Sequence, residues 1–200
     1  MAYLIYARQM NSHLSDEAIA AQVQGGDTPA FGVLVERFEA RMIRYGRRFL
    51  FGHEDCEDLV QEIFLKAYVN IRSFDCTRKF SSWLYRIAHN EVINAIKKKG
   101  REPVPFFDPD ALFPHPVAKE ATDAGIQREE VATMLDRCLQ DLDPKYREPL
   151  VLYYLEELDY KTIAEILHVP INTVGVRMKR GKAALFKAYS RLFPAHAKRA

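Results

Sequence analysis

The chain has 200 residues with a formal net charge of +2, and 48% of its residues are hydrophobic. This length allows one or two domains with packed cores, and the small net charge means that any affinity for nucleic acid must come from local patches. No apolar run approaches the roughly 20 residues needed to span a bilayer, and the three cysteines are scattered as in a reducing cytoplasm, so the composition argues against membrane insertion and against a disulfide-stapled fold.

The N-terminal part of the chain predicts two helices. The first residues, MAYLIYARQ, lack a basic n-region, which argues against a signal peptide. Ser15 begins a short predicted helix that ends near Gln24. Thr28 and Pro29 are typical of an N-cap followed by the first position of a longer helix. The apolar face of this longer helix is expected to carry Phe31, Leu34, Val35, Phe38, Met42 and Tyr45.

A third helix is predicted from His53 to Tyr68. Acidic residues crowd its first turn, as the helix dipole favours. Its buried side is expected to carry Leu59, Val60, Ile63, Phe64 and Ala67. Its outward row is expected to carry Asp58, Gln61, Glu62 and Lys66. Taken alone, such a polar row indicates only solvated surface.

The stretch from Phe80 to Lys99 follows a predicted loop, Ile71 to Lys79, and predicts a helix with two faces. Ser81 and Ser82 stand where an N-cap is expected. The apolar face carries Leu84, Ile87, Ala88, Val92, Ala95 and Ile96. The second face carries Arg86, Asn90, Asn94 and Lys97, with His89 beside it and Lys98 and Lys99 after it. These groups suit phosphates and base edges, but a solvated basic face is an equal alternative.

The segment from Gly100 to about Gln127 is predicted to be a linker between two domains. Its five prolines are too many for a helix or a central strand. It also contains three phenylalanines, which are unusual in a purely flexible spacer, and its acidic residues outnumber its basic ones. We therefore expect a linker that docks on another surface.

The second domain is predicted to begin near Arg128 with a helix whose apolar stripe carries Val131, Leu135, Cys138, Leu139 and Leu142. Asp143 and Pro144 cap the next helix, in which Pro149 is expected to cause a kink. Asp159 caps a short helix, His168-Val169-Pro170 forms a turn, and the last helix runs from Ile171 to Leu192.

The spacing from Tyr160 to Arg180 predicts a helix-turn-helix. Its buried positions are expected to be Ile163, Leu167, Val169, Val174 and Met178. Its exposed face carries Asn172, Thr173, Gly175, Val176, Lys179 and Arg180, flanked by Arg177 and Lys182. From Ile171 onward the chain contains eight Lys or Arg and no Asp or Glu. A recognition helix for the major groove is favoured over a simple hairpin with a basic tail.

Three motifs, in this order along the chain, resemble those of bacterial extracytoplasmic-function (ECF) sigma factors. The first is D-L-V-Q-E-I-F-L-K-A at 58–67, which resembles the helix that binds core RNA polymerase. The second is F-S-S-W-L-Y-R-I-A-H-N at 80–90, which resembles the promoter-melting segment. The third is Y-R-E-P-L-V-L-Y-Y-L-E-E-L-D-Y-K-T-I-A-E-I-L at 146–167, which resembles the start of the C-terminal domain.

The resemblance implies an all-α protein of two helical bundles joined by a proline-rich linker, with a helix-turn-helix in the second bundle. Residues 15–99 would bind polymerase and open the −10 element, 100–127 would be the linker, and 128–193 would bind the −35 element. The implied partners are core RNA polymerase, through its β′ and β subunits, promoter DNA and an anti-sigma factor. The resemblance implies no cofactor or metal, and a cytoplasmic location.

The resemblance also assigns residues to each contact. Those implied to face the β′ subunit are Asp58, Gln61 and Glu62. Those implied to read or open the −10 element are Ser73, Asp75, Thr77, Arg78, Lys79, Phe80, Trp83, Arg86, His89, Asn90, Asn94, Lys97 and Lys98. Those implied at the −35 element are Asn172, Thr173, Gly175, Val176, Arg177, Lys179, Arg180 and Lys182. The last helix departs from the family's common G-T-V-x-S-R, and His168 replaces a common glycine.

Two other classes of protein remain as alternatives. A stand-alone helix-turn-helix regulator explains residues 160–180 but leaves the first domain unexplained, and a non-specific RNA- or DNA-binding adaptor is a third hypothesis. An enzyme is not expected, because the sequence contains no glycine-rich phosphate loop and no G-x-S-x-G motif. His53 and Cys56 have a metal-like spacing, but no second pair accompanies them.

Overall fold

The computed structural model describes residues 13–50, 53–99 and 123–194. The chain forms two compact units, and the boundary between them falls between residues 105 and 106. The described helices of the first unit are α1 (Asp16–Gln24), α2 (Phe31–Arg47), α3 (His53–Asn70) and α4 (Phe80–Lys99). Those of the second unit are α5 (Asp123–Gln140), α6 (Pro144–Tyr154), α7 (Tyr160–Leu167) and α8 (Ile171–Leu192). The predicted all-α class is confirmed. None of these described helices combines the length and hydropathy that crossing a bilayer requires.

The core of the first unit contains most of the apolar residues predicted on α2 and α3, but on α4 the predicted Ile87, Ala95 and Ile96 are only half-buried. Phe38 of α2 packs edge-on against Phe80 of α4 with ring centroids 5.5 Å apart, and Tyr45 packs against Tyr85 at 5.4 Å. All four rings are buried. Such aromatic pairs add to the hydrophobic gain from burying large side chains, so α2 and α4 are firmly packed against each other.

Two helix starts in this unit differ from the predicted caps. Thr28 is not an N-cap but the first residue of a 3₁₀ turn, Thr28–Ala30, from which α2 continues directly. Ser81 and Ser82 lie inside the first turn of α4, which begins at Phe80. The Phe80 N–H is instead satisfied by a carboxylate oxygen of Glu17, 3.0 Å away on α1. A cap supplied from elsewhere in the chain satisfies the same orphan donor that a local serine would.

The second unit contains the predicted helix-turn-helix. The Asp159 carboxylate accepts the Thr162 N–H at 2.7 Å and caps α7 as predicted. His168 ends α7 with a left-handed φ of +51°, a conformation that favours glycine and explains why glycine is common there in the family that the sequence resembles. Of the predicted buried positions, four are confirmed as core residues, whereas Val169 is only half-buried; the four are Ile163, Leu167, Val174 and Met178.

The start of the second unit differs from the sequence prediction in two respects. Helix α5 begins at Asp123, inside the segment expected to be linker, and Val131 is 63% exposed rather than buried. The linker's three phenylalanines lie outside the described residues. Pro149 lies inside α6 as predicted, and the Asp143 carboxylate caps that helix by accepting the Lys145 N–H at 3.0 Å.

Arg147 joins α5 to α6 from a buried position. Its guanidinium donates to the carbonyl oxygens of Gln140 and Leu142, at 2.5 and 2.8 Å, where α5 ends. Burial lowers the pKa of Arg147 to about 10, against the opposing effect of two nearby aspartates, so the side chain stays charged at neutral pH. It therefore acts as a C-cap supplied from the following helix.

Replacing Arg147 with methionine is expected to destabilise the second unit by about 1–3 kcal/mol, because one buried and one partly buried carbonyl lose their donor. Urea unfolding followed by circular dichroism measures the change. Arg191→Met is the matched control, since it removes an exposed ion pair with Asp141 whose expected worth is about 0–1 kcal/mol. Equal losses in the two variants would contradict the capping role.

Candidate nucleic-acid interface

The loop from Ser73 to Lys79, which the resemblance implies reads the −10 element and which is named the −10 loop for that reason, is shaped by its own polar side chains. The Thr77 N–H and hydroxyl both donate to one carboxylate oxygen of Asp75, at 2.9 and 2.7 Å, and these bonds hold the pKa of Asp75 below its ordinary value. The Ser73 hydroxyl donates to the Asn70 carbonyl at 2.8 Å. These side chains therefore build a fixed turn, and the loop's exposed cations are Arg78 and Lys79.

The −10 loop is also fastened to α1 at both ends, a feature that the sequence reasoning missed. The Gln24 amide donates to the carbonyls of Ile71 and Phe74, at 2.8 and 2.7 Å. Glu17 accepts the Phe80 N–H at the other end. Partial burial alone raises the pKa of Glu17, but that N–H and other donors outweigh it, so the pKa lies below its ordinary value. The bond between the Glu17 carboxylate and the Phe80 N–H therefore stabilises the folded protein at pH values above the ordinary pKa of a carboxyl group. This stabilisation is lost as the pH falls through the lowered pKa of Glu17.

Three aromatic rings support this loop. Phe74, Phe80 and Trp83 form a cluster with ring centroids 5.2 to 5.6 Å apart. Phe80 is fully buried and Phe74 is 4% exposed, whereas Trp83 is half-buried. The expectation that Phe80 contacts DNA is therefore corrected, because its ring is enclosed by core residues. Trp83 is the member of the cluster with surface left for a base to stack on.

The polar face predicted on α4 is present. Asn90, Asn94, Lys97 and Lys98 are exposed, while Arg86 and His89 are half-buried. Within the described residues, the Nε atom of Arg86 is buried without a hydrogen-bond partner. The amides and ammonium groups of this face point to solvent, as a surface that binds a phosphate backbone requires.

The outward row on α3 is only partly free. Asp58 and Gln61 are exposed and Glu62 is half-buried. Lys66 instead turns to α4, where its ammonium lies 2.7 Å from the buried carboxylate of Glu91 and 3.4 Å from Glu62. Its bond to Glu91 is the main reason that the pKa of Lys66 is raised. Lys66 thus links α3 to α4, and the prediction that its side chain faces outward is wrong.

Exposed apolar side chains continue the same row of α3. Leu65 is 56% exposed and Val69 is 70% exposed, and they follow Gln61 at steps of four residues. Exposed apolar groups beside carboxylates are typical of a protein-binding surface rather than of a DNA-binding one. The four-residue spacing is a signal in the sequence that could have identified these two residues.

Helix α8 presents most of the residues assigned to the −35 element. Asn172, Val176, Lys179 and Arg180 are exposed, and Thr173, Gly175 and Arg177 are partly so. A Cβ added at Gly175 would meet nothing within 4 Å, so this position leaves a gap in the face. Lys182 is turned away to Tyr154 of α6, with its ammonium 5.5 Å from the ring centroid, and the bond to Tyr154 raises its pKa.

Cys56 gives no support to a metal site with His53. Its thiol is buried and donates to the Ile43 carbonyl, with the sulfur 3.5 Å from the oxygen, and burial raises the pKa of the thiol. A metal would need the thiolate, which this environment disfavours. The side chain of His53 lies outside those that the structure describes.

A helix-turn-helix with a basic second helix, preceded by a separate helical unit with its own polar face, is typical of a DNA-binding protein. Comparison with known families makes the class specific. The model for Sigma-70 region 2 matches residues 34–102, within the first unit, and the model for Sigma-70 region 4 matches residues 132–185, within the second.

Two relatives resemble this chain over most of their length. The ECF RNA polymerase sigma factor SigW of Bacillus subtilis (strain 168) is 39% identical over 175 residues, which cover 83% of this chain and 92% of that protein. The ECF RNA polymerase sigma-E factor of Escherichia coli (strain K12) is 33% identical over 183 residues, covering 88% and 95%. The chain belongs to the ECF sigma factors, the family that directs RNA polymerase to promoters.

A solved structure agrees with this assignment. The protein CnrH, determined in complex with the cytosolic domain of CnrY, matches with a TM-score of 0.62 and 27% identity. The match covers 90% of this chain and 97% of that chain. The family resemblance inferred from the three sequence motifs is confirmed.

Proposed function

We propose that the two units divide the work of a sigma factor. The first unit, about residues 15–99, binds core polymerase and opens the −10 element, and the second, about 128–193, binds the −35 element. The observation that carries this proposal is the separation of charge in the first unit. The row on α3 is acidic and apolar, whereas the face on α4 is basic and rich in amides.

This separation supports two different partners for the two helices. Carboxylates repel DNA phosphates, so Asp58 and Glu62, with the neutral amide of Gln61 between them, suit a basic surface of a protein, which we assign to the β′ subunit. Leu65 and Val69 would add apolar contact area beside them. The exposed groups of α4 suit the opposite partner, a DNA backbone.

For the −10 element, we infer that the −10 loop captures a base that has left the stack. Unstacking costs a few kcal/mol, which a pocket returns through stacking and hydrogen bonds to the base edge. Trp83 offers an aromatic surface, and the exposed Arg78 and Lys79 of the loop carry hydrogen-bond donors. Arg86, His89 and Asn90 would then follow the strand, and Asn94, Lys97 and Lys98 the upstream duplex.

A run-off transcription assay with core RNA polymerase and a library of randomised promoters tests the whole proposal. The expected result is selection of paired −35 and −10 motifs at a fixed spacing. Selection of a −35 motif alone, without direct binding to core polymerase, would instead favour a stand-alone helix-turn-helix regulator.

Replacing Arg180 with alanine is expected to weaken binding to the −35 element by about 1–3 kcal/mol if its guanidinium contacts a base edge, and to relax preference at one position. If Arg180 contacts a phosphate instead, affinity falls at all sequences and the salt slope drops by about one. Binding to a panel of −35 mutants at several salt concentrations distinguishes the two. Lys187→Ala is the matched control, because this exposed cation lies on the same helix but is not among the residues assigned to the −35 element. Unchanged affinity at every site would remove Arg180 from the interface.

We also infer that an anti-sigma protein regulates this factor in the cytoplasm, where RNA polymerase acts. The similar protein CnrH was solved in complex with a cytosolic domain of another protein, CnrY. Purification of the chain from its native cells, followed by identification of proteins that compete with core polymerase, tests this inference.

A further inference from the structure

We propose that Gln24 and Glu17 of α1 are positioning residues that hold the −10 loop in the shape that selects its base. The inference rests on the proposed function, in which this loop captures a base of the −10 element. Neither residue belongs to the polar faces assigned to DNA or to polymerase. Both act through the backbone of the loop and of α4.

Gln24 fixes the first end of the loop. An amide has two N–H donors and one carbonyl acceptor, and here the donors reach the Ile71 and Phe74 carbonyls at 2.8 and 2.7 Å. The amide oxygen lies 3.5 Å from the sulfur of Cys76, which is within the loop. One side chain thus contacts two points of the loop and the backbone two residues before it, 47 to 52 residues away along the chain.

Glu17 fixes the second end of the loop. Its carboxylate accepts the Phe80 N–H at 3.0 Å, and Phe80 is the first residue of α4. Glu17 and Gln24 are seven residues apart, which is about two helical turns, so they lie on one face of α1. Seven residues rise roughly 10 Å along a helix axis, and α1 therefore sets a fixed distance between the two ends of the loop.

A fixed separation of the ends matters for base capture. A loop that is ordered before binding loses little conformational entropy when a base enters, and its groups are already aligned with that base. If either end is released, the matched base loses this advantage, while a mismatched base, which makes fewer contacts, loses less. Discrimination between bases should then fall together with affinity.

Two isosteric substitutions separate hydrogen bonding from bulk. Gln24→Glu keeps the shape of the side chain but removes both donors and places a carboxylate against two carbonyls. Glu17→Gln removes the charge but keeps an oxygen that can accept the Phe80 N–H, whereas Glu17→Ala removes the acceptor. We expect Gln24→Glu and Glu17→Ala to lose base discrimination and Glu17→Gln to retain most of it.

The assay measures binding of single-stranded −10 oligonucleotides to the holoenzyme formed with core RNA polymerase. The quantity compared is the ratio of Kd values for strands that differ only at the captured base. We expect this ratio to fall about threefold to tenfold in Gln24→Glu and Glu17→Ala. Ile63→Val, which trims a buried side chain of α3, is the control for loss of stability. A loss of stability alone lowers the fraction of active protein but leaves the ratio of the two Kd values unchanged.

The outcomes separate this inference from the proposed function. If exchange of the exposed loop residues changes base preference but Gln24→Glu and Glu17→Ala leave the ratio at the wild-type value, the positioning role is wrong and the loop remains the reader. If exchange of the loop residues has no effect on preference, the proposed function of the loop fails, whatever the α1 variants do. A loss in Glu17→Gln as large as in Glu17→Ala would overturn the capping role of the Glu17 oxygen.

Discussion

Replacing Asp58 and Glu62 together with lysine is expected to lower the affinity for core RNA polymerase at least about thirtyfold. The two residues are four apart on α3, so the variant reverses the charge of one continuous face. Disrupting one partner of a close charge pair at an interface typically costs about 2–5 kcal/mol, and every 1.4 kcal/mol is tenfold in affinity. Both side chains retain access to solvent, so the helical circular dichroism should not change.

The measurement is a titration of labelled core enzyme with each variant at two salt concentrations. Asp58→Lys alone is compared with Glu39→Lys, which makes the same charge change at an exposed position of α2. Only the α3 variant should weaken binding, and its effect should shrink at high salt because mobile ions screen exposed charges. Normal binding of the double variant would remove this row from the polymerase interface.

Much of the fold was predictable from the sequence because its helices carry strong local signals. The apolar spacing on α2 and α3 identified side chains that are mostly buried, among them Phe38 and Ile63. Asp159 is an N-cap as predicted, and Ser15, where the first helix was predicted to begin, caps that helix, since a cap bonds to an N–H within three residues. The end of α8 at Leu192 also agrees. Interactions between residues close together in the sequence, such as N-caps and apolar helix faces, could therefore be predicted from the sequence alone.

The features that the sequence did not predict depend on distant partners. The carboxylate of Glu17 caps α4 across 63 residues, and Lys66 pairs with Glu91 across 25. A sequence contains many acids and many donors, and only the packed structure selects which of them meet. Phe80 illustrates the same limit, because its place beside the −10 loop suggested a DNA contact while tertiary packing encloses it in the core.

Exchanging the exposed residues of the −10 loop is expected to change which −10 base the holoenzyme prefers. The positions to exchange are Ser73, Asp75, Thr77, Arg78 and Lys79, taken together from another ECF sigma factor. Phe74 is kept, because its ring packs on Trp83 and its carbonyl accepts from Gln24. The altered preference should appear on duplex and on pre-melted promoters alike, since base capture follows strand separation in both.

Asn90→Ala provides the complementary result. This exposed amide of α4 lies outside the loop, so its loss should leave base preference unchanged. If Asn90 holds the displaced strand, its removal should reduce transcription several-fold more on duplex than on a pre-melted template. The strands of a pre-melted template are already separated, so the protein does not have to supply the free energy of unstacking. Arg72→Ala, which removes an exposed polar side chain just before the loop, is the control and should leave the ratio of transcription on the two templates unchanged. Should the exchanged loop keep the original −10 preference, base capture takes place on another surface, and the assignment of residues 73–79 is wrong.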